Sequence, residues 1–303
     1  MDLLAWIGDR WVRRYAHPDP RALSAVAHLR PATVVTGASE GLGLALAQRI
    51  AREGRAIVLL ARSAELLAET ADALRERHPS TLIVAESLDV SRPEAFEDLQ
   101  ALLARHGLYL DVLVNNAGVA HGGDFAEIDA EAIERLVATN VAAVTRFTRL
   151  ALPEMRARGR GGIMNMASLG AFTPGPWQAA YFASKAYVLS LTAAIGAECA
   201  GEGVRVCVVA FGPVDTGIHR KMDGDRSYYR RLLPSSTPER MARLCWQSYR
   251  LGRRVVVPGF VNGVLAWSAR AMPYELLLPL VGWLMRPRSI GSRSHRPAVA
   301  RVS

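Results

Sequence analysis

Seven short apolar runs, at residues 32–36, 56–60, 81–86, 111–114, 161–167, 204–210 and 254–257, alternate with longer segments of helix-like composition. This alternation restricts the fold more than any other feature of the chain. Strands that are apolar at every position are covered on both faces, and strand–helix–strand repeats generate parallel sheets. The expected architecture is α/β: a doubly wound, Rossmann-like parallel sheet in a single domain with helical extensions at both ends. The boundaries read as an N-terminal extension over 1–30, a dinucleotide-binding catalytic domain over 31–260, and an apolar C-terminal extension with a basic tail over 261–303. In such sheets ligands sit beyond the carboxyl ends of the strands, and nearly every chemically suggestive residue falls there.

The first strand runs into Gly37, Ser39, Gly41, Leu42 and Gly43, followed by a helix. Glycines let the backbone approach a pyrophosphate, and the helix N-terminus presents free N–H groups and a favourable dipole. The spacing is G-x-x-x-G-x-G. After the second strand comes Ala61-Arg62-Ser63, where an NAD-binding fold usually places an acid for the ribose hydroxyls. With no acid there, Arg62 and Ser63 suit a 2′-phosphate, so the expected cofactor is NADP(H). The alternative for Arg62 is an exposed loop arginine, and Glu40 in the glycine turn would weaken the preference. Asp89, followed by Val90 after the third strand, either accepts from an adenine amino group or caps the next helix. Asn115 and Gly118 follow the fourth strand, Asn140 lies in a long helix over 130–158, Ser168 follows the fifth strand, and Gly212, Val214 and Thr216 follow the sixth.

Tyr181 and Lys185 lie four apart in a segment rich in Ala and Leu, so they share a helix face. An ammonium beside a phenol favours phenolate and is expected to lower the tyrosine pKa. Alone, Y-x-x-x-K matches chance surface pairs too often to mean anything.

Charge adds less. The net charge of +9 is almost wholly arginine, Lys185 and Lys221 being the two lysines. From 286 to 303 there are five arginines, one histidine and no acid. No nucleic-acid motif accompanies them, so nucleic acid is not an expected partner, and a solvated tail or contact with anionic lipid remain open. Leu3, Leu4, Ile7 and Trp11 form one helical stripe with Arg10, Arg13 and Arg14 nearby, as in an interfacial helix or a helix packed on protein. The apolar segment 261–285 is interrupted by Arg270, Pro273, Glu275 and Pro279, too often for a spanning helix. It reads as an interfacial helix, a cover over a substrate pocket, or a subunit contact, with plain packing on the domain as the further alternative. Cys199, Cys207 and Cys245 have no metal-ligand spacing and read as reduced, buried thiols; no metal is expected. With no evident signal peptide, the expected location is cytoplasmic, with membrane-surface contact through the termini on the inner face of the membrane as an added option. Residues 217–233 have no clear period and suit a lid.

As a set, Thr36-Gly37-x-x-x-Gly41-x-Gly43, Asn115-Asn116-Ala117-Gly118, Asn140, Ser168 and Tyr181-x-x-x-Lys185 resemble the short-chain dehydrogenase/reductase family over roughly 32–260. The resemblance implies that Tyr181 is the general acid/base, Ser168 orients the carbonyl, Lys185 holds the nicotinamide ribose and tunes Tyr181, and Asn140 supports a water-linked proton relay. It places Asn115 and Gly118 along the cofactor, Asp89 near the adenine, and Val214 and Thr216 by the carboxamide. Phe211-Gly212 stands where the family often has Pro-Gly. The implied activity is reversible hydride transfer between NADP(H) and a hydrophobic carbonyl or alcohol, lipid-like, 3-oxoacyl or steroid-like. The pocket is expected along 169–180 and 214–235, with Phe172, Trp177 and Tyr228 suggesting an apolar guest. The other reading is a cofactor-sensing or scaffold protein with its chemistry unused. The helices around Asn140 and Tyr181 would pair between subunits, as is common in that family, giving a homo-oligomer.

Overall fold

The computed structural model describes residues 10–215 and 235–286. Thr216, the proposed lid at 217–233 with Tyr228, the N-terminal Leu3, Leu4 and Ile7, and the tail beyond Arg286 lie outside these described residues.

Seven strands form one parallel sheet in the order β3-β2-β1-β4-β5-β6-β7. They are β1 Arg30–Thr36, β2 Ala56–Ala61, β3 Ile83–Ser87, β4 Leu108–Asn115, β5 Gly161–Met166, β6 Val204–Val209 and β7 Val255–Val256. The order reverses between β1 and β4, which pair directly, so a crevice opens beyond their carboxyl ends. The helices are α1 Pro20–Val26, α2 Gly41–Ala51, α3 Ala64–Arg77, α4 Ala95–Arg105, α5 Ala130–Val137, α6 Val144–Ala157, α7 Ala179–Glu198, α8 Pro238–Arg250, α9 Phe260–Ala271 and α10 Tyr274–Met285. Short polar residues start several of them. Ser63 Oγ accepts from Leu66 N–H at the start of α3, and Thr237 Oγ1 accepts from Arg240 N–H ahead of α8, with Pro238 in its first turn, as N-capping requires.

The strands are apolar throughout because alternate residues enter two different cores. Val35, Ile57, Leu59 and Val114 point into one, with Leu46, Ile50 and Trp246 from α2 and α8. Val34, Val58, Leu60 and Leu113 point into the other, where Phe96 and Phe147 meet edge to face at 5.4 Å. Truncating one of these leucines to alanine costs about 2–5 kcal/mol.

The expected helix over 130–158 is interrupted. Ala138–Ala143 is a π turn between α5 and α6, and Asn140 sits in it. Residues before α1 cross the amino end of the sheet. Tyr15 N–H donates to Gly201 O, Gly203 N–H to Val12 O, and Asp19 N–H to Ala157 O; Ala157 precedes β5, and Gly201 and Gly203 precede β6. Trp11 is exposed there with the Arg14 guanidinium 3.8 Å over its ring. α9 and α10 lie at the opposite, carboxyl end.

Candidate active site

The glycine turn after β1 is shaped by close approach. Gly37 has φ +63° and Gly41 φ +58°, conformations that favour glycine. A Cβ on Gly37 would lie 2.9 Å from Ala117 Cα, and one on Gly43 would collide with Gly37 O and the Asn116 amide. Thr36 and Asn116 tie this turn to the end of β4. Thr36 Oγ1 accepts from Asn116 N–H at 3.0 Å and Ala117 N–H at 2.9 Å, while Asn116 Nδ2 donates to Thr36 O and Gly37 O. Glu40 makes no side-chain cap bond to α2, so no side-chain cap takes the first-turn amide donors. Gly41, Leu42 and Gly43 line a cleft of about 1110 Å³.

That cleft continues past Ser39, then Ala61, Arg62 and Ser63 after β2, then Asp89 and Val90 after β3, and along Gly118 to Ser168, Tyr181, Gly212 and Val214. A glycine turn too tight for a Cβ at Gly37 or Gly43, a helix N-terminus, and the residues at the ends of β2 and β3 together fit a dinucleotide. Asp89 lines the cleft but does not cap the helix that follows. Its Oδ1 accepts from Ser91 N–H at 2.9 Å and Ser91 Oγ–H at 2.7 Å, closing a local turn, and Glu94 occupies the N-cap position of α4 without a side-chain cap bond. Burial works against its charge, but the Ser91 bonds and nearby Arg62 and Arg92 outweigh that and hold the carboxyl below its usual range.

Asn115, expected along the cofactor, turns its side chain into the sheet. It is buried, and its Nδ2 donates to Asn165 Oδ1 at 2.8 Å and Thr148 Oγ1 at 3.3 Å. Asn165 Nδ2 donates in turn to Thr192 Oγ1 at 2.9 Å. This network joins β4, β5, α6 and α7. The residues that meet the cleft are the next three, Asn116, Ala117 and Gly118.

Ser168 ends the extension of β5. Its Oγ accepts from Gly170 N–H at 3.2 Å, and it lines the cleft together with Tyr181 in the first turn of α7. One turn on, Lys185 Nζ donates to Met166 O at 3.0 Å and stands 5.7 Å from the Tyr181 ring centre. Gly118 leaves room for it: a Cβ there would be 3.5 Å from Lys185 Nζ and 3.3 Å from Asn140 Oδ1. The expected lowering of the tyrosine pKa is reversed. Burial pushes the Tyr181 phenol up, the neighbouring Ser168 hydroxyl opposing it, and burial pulls the Lys185 ammonium down to about 8. Desolvation penalises both charged forms, so a buried lysine loses part of the charge that would favour phenolate. Asn140 is fully buried. Its Oδ1 accepts from Val119 N–H, and its Nδ2 donates to Val119 O and Ser184 Oγ. The amide therefore clamps the loop after β4 to α7 from behind the cleft wall.

The substrate half has a wall that the sequence left among three readings. Leu277, Val281 and Met285 of α10 pack with Tyr181, Phe182 and Leu136 and line the cleft, as do Leu265 and Ala269 of α9. Gly212 admits this cover, because a Cβ there would collide with the Asn262 side chain on α9. The signal was present as apolar residues at i, i+4 and i+8 over 277–285. Phe172 and Trp177 are not wall residues. Phe172 lies under the Arg270 guanidinium, 4.8 Å away, and Trp177 backs the α10 cluster. Phe182, Phe211 and the polar His121, Thr139 and Gln178 take their place on the cleft surface. The three cysteines are free and buried, and burial raises each thiol, Cys199 to about 11 and Cys207 to about 12. Among the described residues no cluster of metal-ligating side chains is found.

The sequence profile of the short chain dehydrogenase family matches residues 31–227. A granaticin polyketide synthase putative ketoacyl reductase from Streptomyces violaceoruber is 36% identical over 254 residues, 82% of this chain and 91% of that protein. A very-long-chain 3-oxoacyl-CoA reductase from Emericella nidulans is 35% identical over 180 residues, 58% of this chain; the match spans about half, 51%, of that longer protein. Among solved structures, a short-chain dehydrogenase from Sphingobium yanoikuyae in complex with NADPH superposes with a TM-score of 0.70 at 28% identity, covering 87% of this chain and 99% of that one.

Proposed function

The chain belongs to the short-chain dehydrogenase/reductase family of oxidoreductases, and from that premise we propose that it reduces the carbonyl of an extended hydrophobic substrate with NADPH. The observation that carries this reading is that Ser168 and Tyr181 meet at the point where the glycine-turn half of the cleft joins the apolar half walled by α10. Ala61-Arg62-Ser63 at the end of β2 supports NADPH over NADH, since a guanidinium and a hydroxyl suit a 2′-phosphate. When bound, the nicotinamide supplies the hydride. Ser168 holds the carbonyl oxygen and Tyr181 gives it a proton, a positioned acid worth about 10²–10⁴-fold in rate. The raised phenol pKa keeps that proton in place at neutral pH. Lys185 fixes the distance between α7 and the end of β5 through Met166 O, and Asn140 fixes the loop carrying Gly118 against the same helix. The width and apolar lining of the substrate half favour a 3-oxoacyl chain or similarly bulky ketone, in keeping with the ketoacyl reductases among the relatives. Exposed Leu150 on α6 and Tyr187 on α7 support pairing of those helices between subunits.

Tyr181→Phe tests the reading. It removes the transferable proton and keeps the ring packed on Phe182. Turnover of hydrophobic ketones should fall at least about 100-fold with NADPH affinity unchanged. Near-normal turnover would refute the assignment, and an active-site set that never oxidises NADPH with any ketone would favour a cofactor sensor.

A further inference from the structure

α10 is a two-faced wall. Leu277, Val281 and Met285 face the cleft and are buried, whereas Leu276 and Trp283 on the other stripe are 66% and 53% exposed. Leu280 is 46% exposed and also lines the cleft, so it marks the rim. α9 repeats the pattern: Leu265 and Ala269 line the cleft, while Phe260, Val264 and Trp267 are 87%, 46% and 72% exposed. These outward residues are spaced i, i+4, i+7 on each helix, continuous stripes rather than scattered apolar positions.

We infer that the outer face of α9 and α10 docks on the surface of an anionic lipid bilayer, so that the mouth of the substrate cleft opens at the lipid interface. The two helices have 12 residues each, too short to cross the ~30 Å hydrocarbon core, and no described helix is long and apolar enough to do so. They can lie in the interface. The two tryptophans on the outer face, Trp267 and Trp283, are the side chains that favour that depth. The charge around them is of one sign. Arg270 and Arg286 are opposed by Glu275 alone, and the 17 residues that follow α10 and Arg286 add four arginines and no acid. A second protein surface would need matching acids; an anionic bilayer supplies them as headgroups. The expectation of contact through both termini is narrowed: Trp11 and Tyr15 lie at the amino end of the sheet, away from the cleft, and cannot share one flat membrane with α10.

Flotation of the full-length chain with phosphatidylcholine vesicles, with and without phosphatidylglycerol, tests this. Binding should require phosphatidylglycerol and weaken with salt. Trp267→Glu with Trp283→Glu should reduce the bound fraction by about tenfold or more, since each indole leaves apolar surface for water, with the melting temperature retained. Phe260→Ser, at the most exposed position, should weaken binding in the same direction, and Trp11→Glu should not change it. Wild-type flotation retained in the double variant, no flotation of the wild type, or conversion of a wild-type oligomer to monomers by the double variant without any vesicle binding would each overturn the inference. Flotation needs no substrate, so it stands or falls separately from ketone reduction.

Discussion

Lys185→Met removes the buried charge of the site and keeps a flexible apolar chain of similar length. Lys185 is 6% exposed, and desolvation lowers its pKa from 10.5 to about 8. Below pH 8 the folded and unfolded chains both hold the proton, and the folded chain bears the whole cost of burying it. Between pH 8 and 10.5 the folded chain sheds the proton first and the cost fades; above 10.5 it is gone. At pH 7 the cost is about 3 kcal/mol and at pH 10 about 1 kcal/mol. The variant lacks this term. The hydrogen bond to Met166 O, worth about 1 kcal/mol, is lost at both pH values and offsets the comparison without tilting it. Tyr181 and the cysteines titrate in both proteins. Thermal unfolding of both proteins, followed by circular dichroism at pH 7 and pH 10, therefore has a defined outcome. The variant's melting temperature relative to the wild type should be higher at pH 7 than at pH 10 by roughly 4–8 °C. An equal difference at the two pH values would refute a buried, charge-disfavoured Lys185. Turnover should be lost at both.

Two further substitutions probe the cofactor half. Arg62→Ala should raise the dissociation constant for NADPH by about 10–100-fold and leave NADH nearly unchanged, as removal of one charge-assisted phosphate contact requires; equal effects by fluorescence titration would rule out the 2′-phosphate role. Gly43→Ala places a methyl against Gly37 O and the Asn116 amide, where backbone has to move, so it should cost about 1–3 kcal/mol of stability in denaturant melts and weaken both nucleotides alike; a variant that binds as the wild type would show the turn to be slack.

The strands and most helices were readable because apolar runs and capping residues are local signals; the segment 64–77 coincides with α3. What escaped depends on register or on burial. The π turn around Asn140 changes which carbonyl pairs with which amide and leaves no mark in side-chain pattern. Asn115 and Asn116 are chemically identical neighbours, and only the alternation of β4 decides that the first enters the sheet network and the second holds the glycine turn. The tyrosine–lysine pair was read as a charge effect between neighbours, but both groups are so far from water that desolvation outweighs their mutual influence. The apolar segment 261–285 could be recognised as cover, contact or interface from composition, yet only the packing of Leu277, Val281 and Met285 against Tyr181 and Phe182 shows that one stripe closes the cleft while the other faces out.

The wall that α10 provides is also the last part of the site to be made. During synthesis the glycine turn, Ser168, Tyr181 and Lys185 leave the ribosome while Met285 is still about 100 residues behind. At about 5–20 residues per second, that interval is roughly 5–20 s. Over that time Tyr181, Phe182 and Leu136 lack their apolar partner, and the cluster is bare. A nascent chain at this stage holds every group for chemistry and none of the enclosure, so the stretch from Leu277 to Met285 decides whether the cleft is sealed from water or sticky toward other chains.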